Sequence, residues 1–209
     1  VHRVILPKWQ AYYNVLSNLF GSKPLQVSYY QSRKFKALLK SLASKHDLLF
    51  AHLIRMAHYM DESPLPGVVE MTDAISMNYE RSQRVASTFN FLSIVHRIEV
   101  KRLKLYEKKA IEKYDLLSFV SKTDSDFLYG KDNVDKVIVC NNGVDTNILK
   151  FGLPSNRLPV VAFIGNMKSM QNRDAASWFA KKVLPLLRKN GDFRFRIVGQ
   201  IEDRHRAMF

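Results

Sequence analysis

Apolar positions along the chain follow two periods. Runs at 47–54 (DLLFAHLI), 68–71 (VVEM), 116–120 (LLSFV) and 136–139 (KVIV) are rich in aliphatic residues, carry few charges and end in turn or capping residues. That pattern marks strands buried in a parallel sheet. Two further strands are expected at 3–6 (RVIL), closed by Pro7, and at 25–30 (LQVSYY). Between them Trp9, Tyr12, Tyr13, Leu16, Leu19 and Phe20 recur at helical spacing until Gly21. The segment 32–45 places Phe35, Leu38, Leu39 and Leu42 on one helical face, with Arg33, Lys34, Lys36, Lys40 and Lys45 elsewhere. Two readings stand for this basic amphipathic helix: a surface helix packed on a sheet, or a face resting on an anionic bilayer. A long charged helix is expected over 94–114, with Glu99, Glu107 and Glu112 paired to lysines and arginines along a solvent face.

The stretch 136–145 (KVIVCNNGVD) closes this first series. Asn141, Asn142 and Gly143 are expected to turn the chain in backbone conformations with positive φ. Residues 146–159 include Gly152, Pro154, Ser155, Asn156 and Pro159 and have little periodicity, so they are taken as a linker. A second series follows: a strand at 160–164 (VVAFI), a turn at Gly165-Asn166-Met167, a helix over 174–190 stopped by Gly191, and a strand at 193–198 ended by Gly199. Pro185 is expected to kink or end that helix. Strand, helix, strand makes a βαβ unit with parallel strands. Two parallel strands cannot bury both faces, so this unit is expected to lean on the first one or on further sequence. The fold class is α/β, with domains at 1–145 and 160–209. A crevice at the carboxyl ends of parallel strands is where such sheets bind ligands, so function is expected near Asn142 and Gly143.

Charge narrows the partners. The 209 residues carry 33 basic and 19 acidic side chains, a net charge of +14. Residues 1–46 contain eight Lys or Arg and no acid; 47–159 contain fifteen of each sign; 160–209 contain ten basic and four acidic. Positive ends favour anionic partners: membrane headgroups, nucleotide phosphates or nucleic acid. The single cysteine, Cys140, allows no internal disulfide and fits a reducing compartment. No apolar run approaches the roughly 20 residues that span a bilayer, and the amino terminus has no signal-peptide pattern. A strand expected so soon after Val1 suggests an excerpt of a longer chain.

Candidate chemistry is sparse. Arg55 follows the 47–54 strand and is expected to point to the crevice. Asp73 and Ser76 lie at a strand-to-helix junction, where Thr72 or Asp73 as N-cap is a sufficient account. His46, His52 and His58 stand six residues apart, which fits no metal-ligand spacing. His46 is read as surface, while His52 and His58 stay open as crevice residues against the ordinary core or surface histidine. Asp124-Ser125-Asp126 spells an Asp-x-Asp, but both acids fall in the first turn of a helix that Ser121 is expected to cap.

Taken in order, the strand with NNGVD, the linker, and VVAFIGNMKSMQNRDAASWFAKKVLPLL with FRIVG resemble the middle of family 4 glycosyltransferases of the GT-B type. Bacterial sugar transferases of that family show a G-x-M-x(4)-N-x-x-A-x-x-W-F pattern, carried here by Gly165, Met167, Asn172, Ala175, Trp178 and Phe179. Asp73-Ala74-x-Ser76 and VSKTDSDF look like that family's first domain, and the resemblance spans roughly residues 47–200. It implies two Rossmann-like domains, both incomplete here, an acceptor held mainly by the first and a nucleoside diphosphate sugar by the second. No metal or other cofactor is implied, because cations, backbone N–H groups and a helix start neutralise the leaving diphosphate.

On this resemblance Arg55, Asp73, Ser76 and His52 are acceptor-side candidates, and Asn142, Gly143, Gly165, Asn166, Lys168 and Gly199 are cleft or donor-side candidates. Many members have Arg then Lys after the glycine turn, where this chain has Asn166 and Lys168, with Arg173 nearby. The family's glycine-rich first loop and its Glu-x(7)-Glu segment are not in the chain, so this segment alone is expected to be inactive. The implied reaction is front-face, retaining sugar transfer to a glycan or lipid-linked acceptor in envelope polysaccharide or lipopolysaccharide synthesis. The implied location is cytoplasmic, peripheral on the inner membrane through the basic first domain. The rival reading from charge is a basic nucleic-acid-binding or non-catalytic interaction protein, and no nucleic-acid-binding motif accompanies it.

Overall fold

The computed structural model describes residues 1–85, 91–131, 135–148, 152 and 159–206, and the chain divides into two compact units, Val1–Gly143 and Val144–Phe209. The fold is α/β. Most of the 146–159 segment lies outside the described residues.

The first unit opens with three helices, α1 (Lys8–Ser17), α2 (Leu25–Tyr29) and α3 (Arg33–Ala43). Residues 3–6 form no strand, and 25–30 is helical rather than extended. The α2 helix forms because Pro24 starts it: its carbonyl accepts from the Val27 and Ser28 amides. The amides of Leu25 and Gln26, free in the first turn, bond the Glu99 carboxylate at 2.6 and 3.4 Å. That contact spans more than seventy residues and outweighs the weak strand propensity of LQVSYY. Ser32 caps α3 by accepting from the Phe35 amide at 3.2 Å.

Next come β1 (Leu49–His52), α4 (Ile54–Ala57), β2 (Gly67–Thr72), α5 (Ile75–Val85), α6 (Phe91–Lys113), β3 (Leu116–Phe119), α7 (Lys122–Tyr129) and β4 (Val137–Val139). The strands pair in parallel in the order β1-β2-β3-β4. Leu49, Ala51, Val69, Met71, Leu117 and Phe119 point from one face into a core shared with Ile54, Ala57, Ala74, Met77, Ala110, Tyr114 and Leu128 of the connecting helices. The other face carries Phe50, His52, Val68, Glu70, Leu116 and Ile138 and is partly open, with Phe50 62 % exposed.

The second unit holds β5 (Val160–Ile164), α8 (Met170–Trp178), a π turn at Phe179–Val183, α9 (Leu184–Leu187), β6 (Arg194–Val198) and α10 (Asp203–Arg206). β5 and β6 pair in parallel, from Val160 opposite Arg194 to Ile164 opposite Val198. The helix begins four residues earlier than its apolar pattern indicates. Pro185 neither ends nor breaks it: it falls in the first turn of α9, and the π turn just before it absorbs the ring and the missing N–H. Phe179 packs on Phe195 with ring centroids 4.8 Å apart. The alternating strands bury little, and Ile164 and Val198 are exposed on the face away from Phe163 and Ile197.

Candidate functional site at the carboxyl ends of the strands

In the first unit the ends of β1 and β2 are strained. Among the described residues, Leu53, with φ 70°, and Thr72, with φ 61°, are the non-glycine residues with positive φ. Each such conformation costs roughly 1–3 kcal/mol, more readily tolerated where surrounding contacts hold it in place. Here the Leu53 amide donates to the Glu70 carbonyl at 2.7 Å, and the Thr72 carbonyl accepts from the Val120 amide at 2.9 Å. Beside them His52 Nδ1 pairs with Glu70 Oε2, which also accepts from the Thr72 hydroxyl at 3.0 Å. His52 is exposed, and its orientation is fixed by a carboxylate. Arg55 lies one turn on, its guanidinium 5.0 Å from the centre of the Tyr30 ring.

Asp73 is not the N-cap of α5; its carboxylate accepts from the Asn78 side chain at 2.5 Å. The cap comes from α6: Glu107 accepts from the Ile75 amide at 2.8 Å, the Ser76 amide at 3.2 Å and the Ser76 hydroxyl at 2.5 Å. Asp124 accepts from the Ala74 amide at 2.9 Å. Ser76 is therefore buried and its hydroxyl occupied, so the candidate with the least access to any acceptor is this one. Burial pushes the Glu107 carboxyl up to about 7 against the pull of its three donors, and burial likewise raises Glu99. Neither glutamate is on a solvent face. The overlooked signal was position: Glu107 sits within the buried stripe Val100, Leu103, Ala110 and Tyr114, at three- and four-residue spacing.

Ser121 caps α7 as the sequence indicates, accepting from the Asp124 amide at 3.4 Å. With Asp124 bonded to Ala74 and Asp126 paired to Lys122 at 2.6 Å, the Asp-x-Asp carboxylates are both engaged. No cluster that could hold a metal occurs among the described residues. Asn142 and Gly143 are exposed beyond β4, and neither they nor Asn141 has positive φ. The stretch runs on without turning; Asn141 Nδ2 ties it to the Val120 carbonyl at 2.9 Å, and Asp145 makes the turn instead by accepting from the Asn147 and Ile148 amides.

In the second unit the candidates converge. Gly199 has φ 147°, and a Cβ there would lie 1.9 Å from the Gly165 carbonyl oxygen, so the two backbones can approach only without that side chain. The Gly165 amide donates to the Val198 carbonyl at 2.9 Å and the Met167 amide to that of Gln200 at 2.8 Å. Asn172 Nδ2 donates to the Asn166 carbonyl at 2.9 Å, and Arg173 Nη1 to the carbonyls of Met167 and Lys168 at 2.7 and 2.8 Å. Asn166 Oδ1 accepts from the Lys168 amide at 3.0 Å, and Met167 is fully buried. The glycine, methionine and asparagine of the spaced pattern thus hold a rigid loop, and Arg173 is committed to bracing it. Lys168 is exposed, and its ammonium has no partner among the described residues. Ser169 opens α8 without a side-chain cap, its hydroxyl turned to Gln171 at 2.7 Å, and no acid stands in the first turn. No described side chain accepts from the amides of Met170, Gln171 and Asn172. Such a start attracts an anion.

A scan against protein-family models finds no match for this chain, and no curated protein matches it. No helix among the described residues is long and apolar enough to cross a membrane.

Proposed function

We propose that the chain is the central part of a GT-B glycosyltransferase of family 4 that transfers a sugar from a nucleoside diphosphate sugar to a glycan or lipid-linked acceptor of envelope polysaccharide at a membrane face. The observation that most supports this reading is the start of α8: a braced loop after a parallel strand, with three amides and the Lys168 ammonium that have no side-chain acceptor among the described residues. That combination suits a diphosphate, whose charge grows as the glycosyl bond breaks. Asn166 and Gly165 shape the loop, and Gly199 admits it. His52, Arg55 and Asp73, at the ends of β1 and β2, are the acceptor-side residues of this reading. In the retaining transfer that the family resemblance implies, the acceptor hydroxyl attacks from the face the diphosphate leaves, and the chain contributes binding and charge rather than a nucleophile.

Isothermal titration with UDP, GDP and ADP and their hexose conjugates tests it. One nucleotide series is expected to bind, and Lys168→Ala to weaken it about tenfold, the effect of one charge-assisted contact, with unfolding unchanged. No binding at millimolar nucleotide, together with salt-sensitive submicromolar binding to duplex DNA, would replace this reading with the nucleic-acid one.

A further inference from the structure

Helix α1 carries its apolar stripe outward. Trp9, Tyr12, Tyr13 and Leu16 recur at three- and four-residue spacing, yet Trp9 is 72 %, Tyr13 66 % and Leu16 69 % exposed, and Phe20 just beyond is 94 % exposed. What the helix turns inward is Ala11, with half-buried Asn14 and Val15, and Asn14 Nδ2 donates to the Gln31 carbonyl at 2.9 Å. Soluble helices do the reverse, and a continuous exposed patch of this kind marks an interaction surface.

Its surroundings indicate what covers it. Every acidic or basic residue among 1–46 is basic. A cleft of about 760 Å³ is lined by Trp9 and Tyr13 of the stripe together with Lys23, Arg33, Lys36 and His58. The acids lining it are already engaged: Glu62 with Lys36 at 2.6 Å, and Asp61 with Lys113 and Tyr114 at 2.9 and 2.7 Å. Among the described residues Lys23 and Arg33 have no ion-pair partner, and His58 Nε2 is buried with no hydrogen-bond partner while Nδ1 faces the Arg55 carbonyl at 3.0 Å. Tryptophan and tyrosine suit the boundary between headgroups and acyl chains, and flanking cations suit anionic headgroups. A second copy of the chain would bring like charges together on this face.

We propose that α1 docks the protein on an anionic bilayer, with Trp9, Tyr13, Leu16 and Phe20 at the acyl boundary and a lipid phosphate held in the cleft by Lys23 and Arg33. The amphipathic helix α3, for which the sequence leaves both a packed and a bilayer-facing reading, has part of its apolar face engaged: Phe35 packs on Tyr59 at 4.6 Å between ring centroids and Leu39 packs on the core. The proposal rests on, and deepens, the membrane part of the reading above, but its test needs neither donor nor acceptor, so either can fail while the other holds.

The full chain is sedimented with vesicles of phosphatidylcholine alone or mixed with phosphatidylglycerol, and Trp9 emission is read in a Trp178→Phe background. Binding is expected only to the mixed vesicles, with a blue shift of Trp9. Leu16→Ser with Phe20→Ser should lower partitioning at least about tenfold, and Lys23→Glu with Arg33→Glu should abolish the preference for anionic lipid. All four residues are solvent-exposed or half-buried, so unchanged circular dichroism verifies the fold. Binding that is absent, indifferent to lipid charge or unaffected by the serine variants overturns the proposal. So does a dimer in sedimentation velocity that Leu16→Ser dissociates.

Discussion

The helix starts of the two units are treated differently. In the first unit the chain supplies oxygen acceptors to the starts that abut its sheet and core, Glu99 to α2, the Ser32 hydroxyl to α3, Glu107 and Asp124 to α5 and the residue before it, and the Ser121 hydroxyl to α7, while α1 and the short α4 begin without a side-chain cap. In the second unit α8 starts with neither a side-chain cap nor an acid in its first turn, although the loop before it is fixed by the close approach of Gly199 to Gly165 and by side-chain bonds from Asn172 and Arg173 to loop carbonyls. A helix start with its own buried carboxylate is structural and closed to ligands. A rigid start with none keeps its partial positive charge for an anion from outside. The difference explains why Ser76, at the first kind of start, is buried, while Lys168, at the second kind, is exposed.

The largest effect is expected from removing a self-supplied acceptor. Glu107→Ala leaves the Ile75 and Ser76 amides and the Ser76 hydroxyl without their partner in a buried place, and should lower stability in urea unfolding by about 3 kcal/mol. Glu107→Gln keeps an acceptor and should cost about 1 kcal/mol. Because the folded carboxyl is raised to about 7 from 4.5, the folded state holds the proton more tightly. Its contribution is therefore complete below about pH 4.5 and is lost as pH rises through 7. Glu99 titrates in the same sense and His58, lowered by burial, in the opposite one. The difference between wild type and Glu107→Gln isolates the Glu107 slope. An identical pH dependence in the two proteins would mean that the Glu107 carboxyl titrates alike in the folded and unfolded states.

How legible this was depends on distance along the chain. The six strands at β1 to β6 and the Ser121 cap could be read locally, because an aliphatic run or a serine three residues before the amide that donates to it carries its own signal. The acceptor for α2 lies on another helix, so LQVSYY read as a strand. Pairing rules along one helix face assigned Glu107 to solvent, since they count neighbours three and four residues away and take no account of what packs across. The strain at Leu53 and Thr72 leaves no mark in residue type, for neither leucine nor threonine favours positive φ. Around Gly165 the spaced glycine, methionine and asparagine were visible, but their work of bracing a loop emerges only when Gly199 and Arg173 are placed beside them.

The rigidity of the second start is the next thing to break. Gly199→Ala meets the Gly165 carbonyl and keeps an unfavourable φ, and should destabilise the second unit by about 2 kcal/mol. Hydrogen exchange at the Gly165 and Met167 amides, which bond across to Val198 and Gln200, should quicken while the amides of β2 and β3 stay protected. Uniform loss of protection across both sheets would show that the two starts are not independent.

The smallest expected change in stability tests the comparison most directly. Ser169→Asp gives α8 the carboxylate that α5 receives from Glu107. As a helix cap it should raise stability by about 1 kcal/mol or less, the opposite of what most substitutions do. The same carboxylate should occupy the Gln171 and Asn172 amides, repel a diphosphate and lower nucleotide affinity at least about tenfold. Ser169→Asn, a neutral cap, should give the stability without the repulsion and weaken binding less. If Ser169→Asp stabilises the chain and leaves nucleotide binding untouched, the start of α8 is merely uncapped, and the phosphates bind elsewhere.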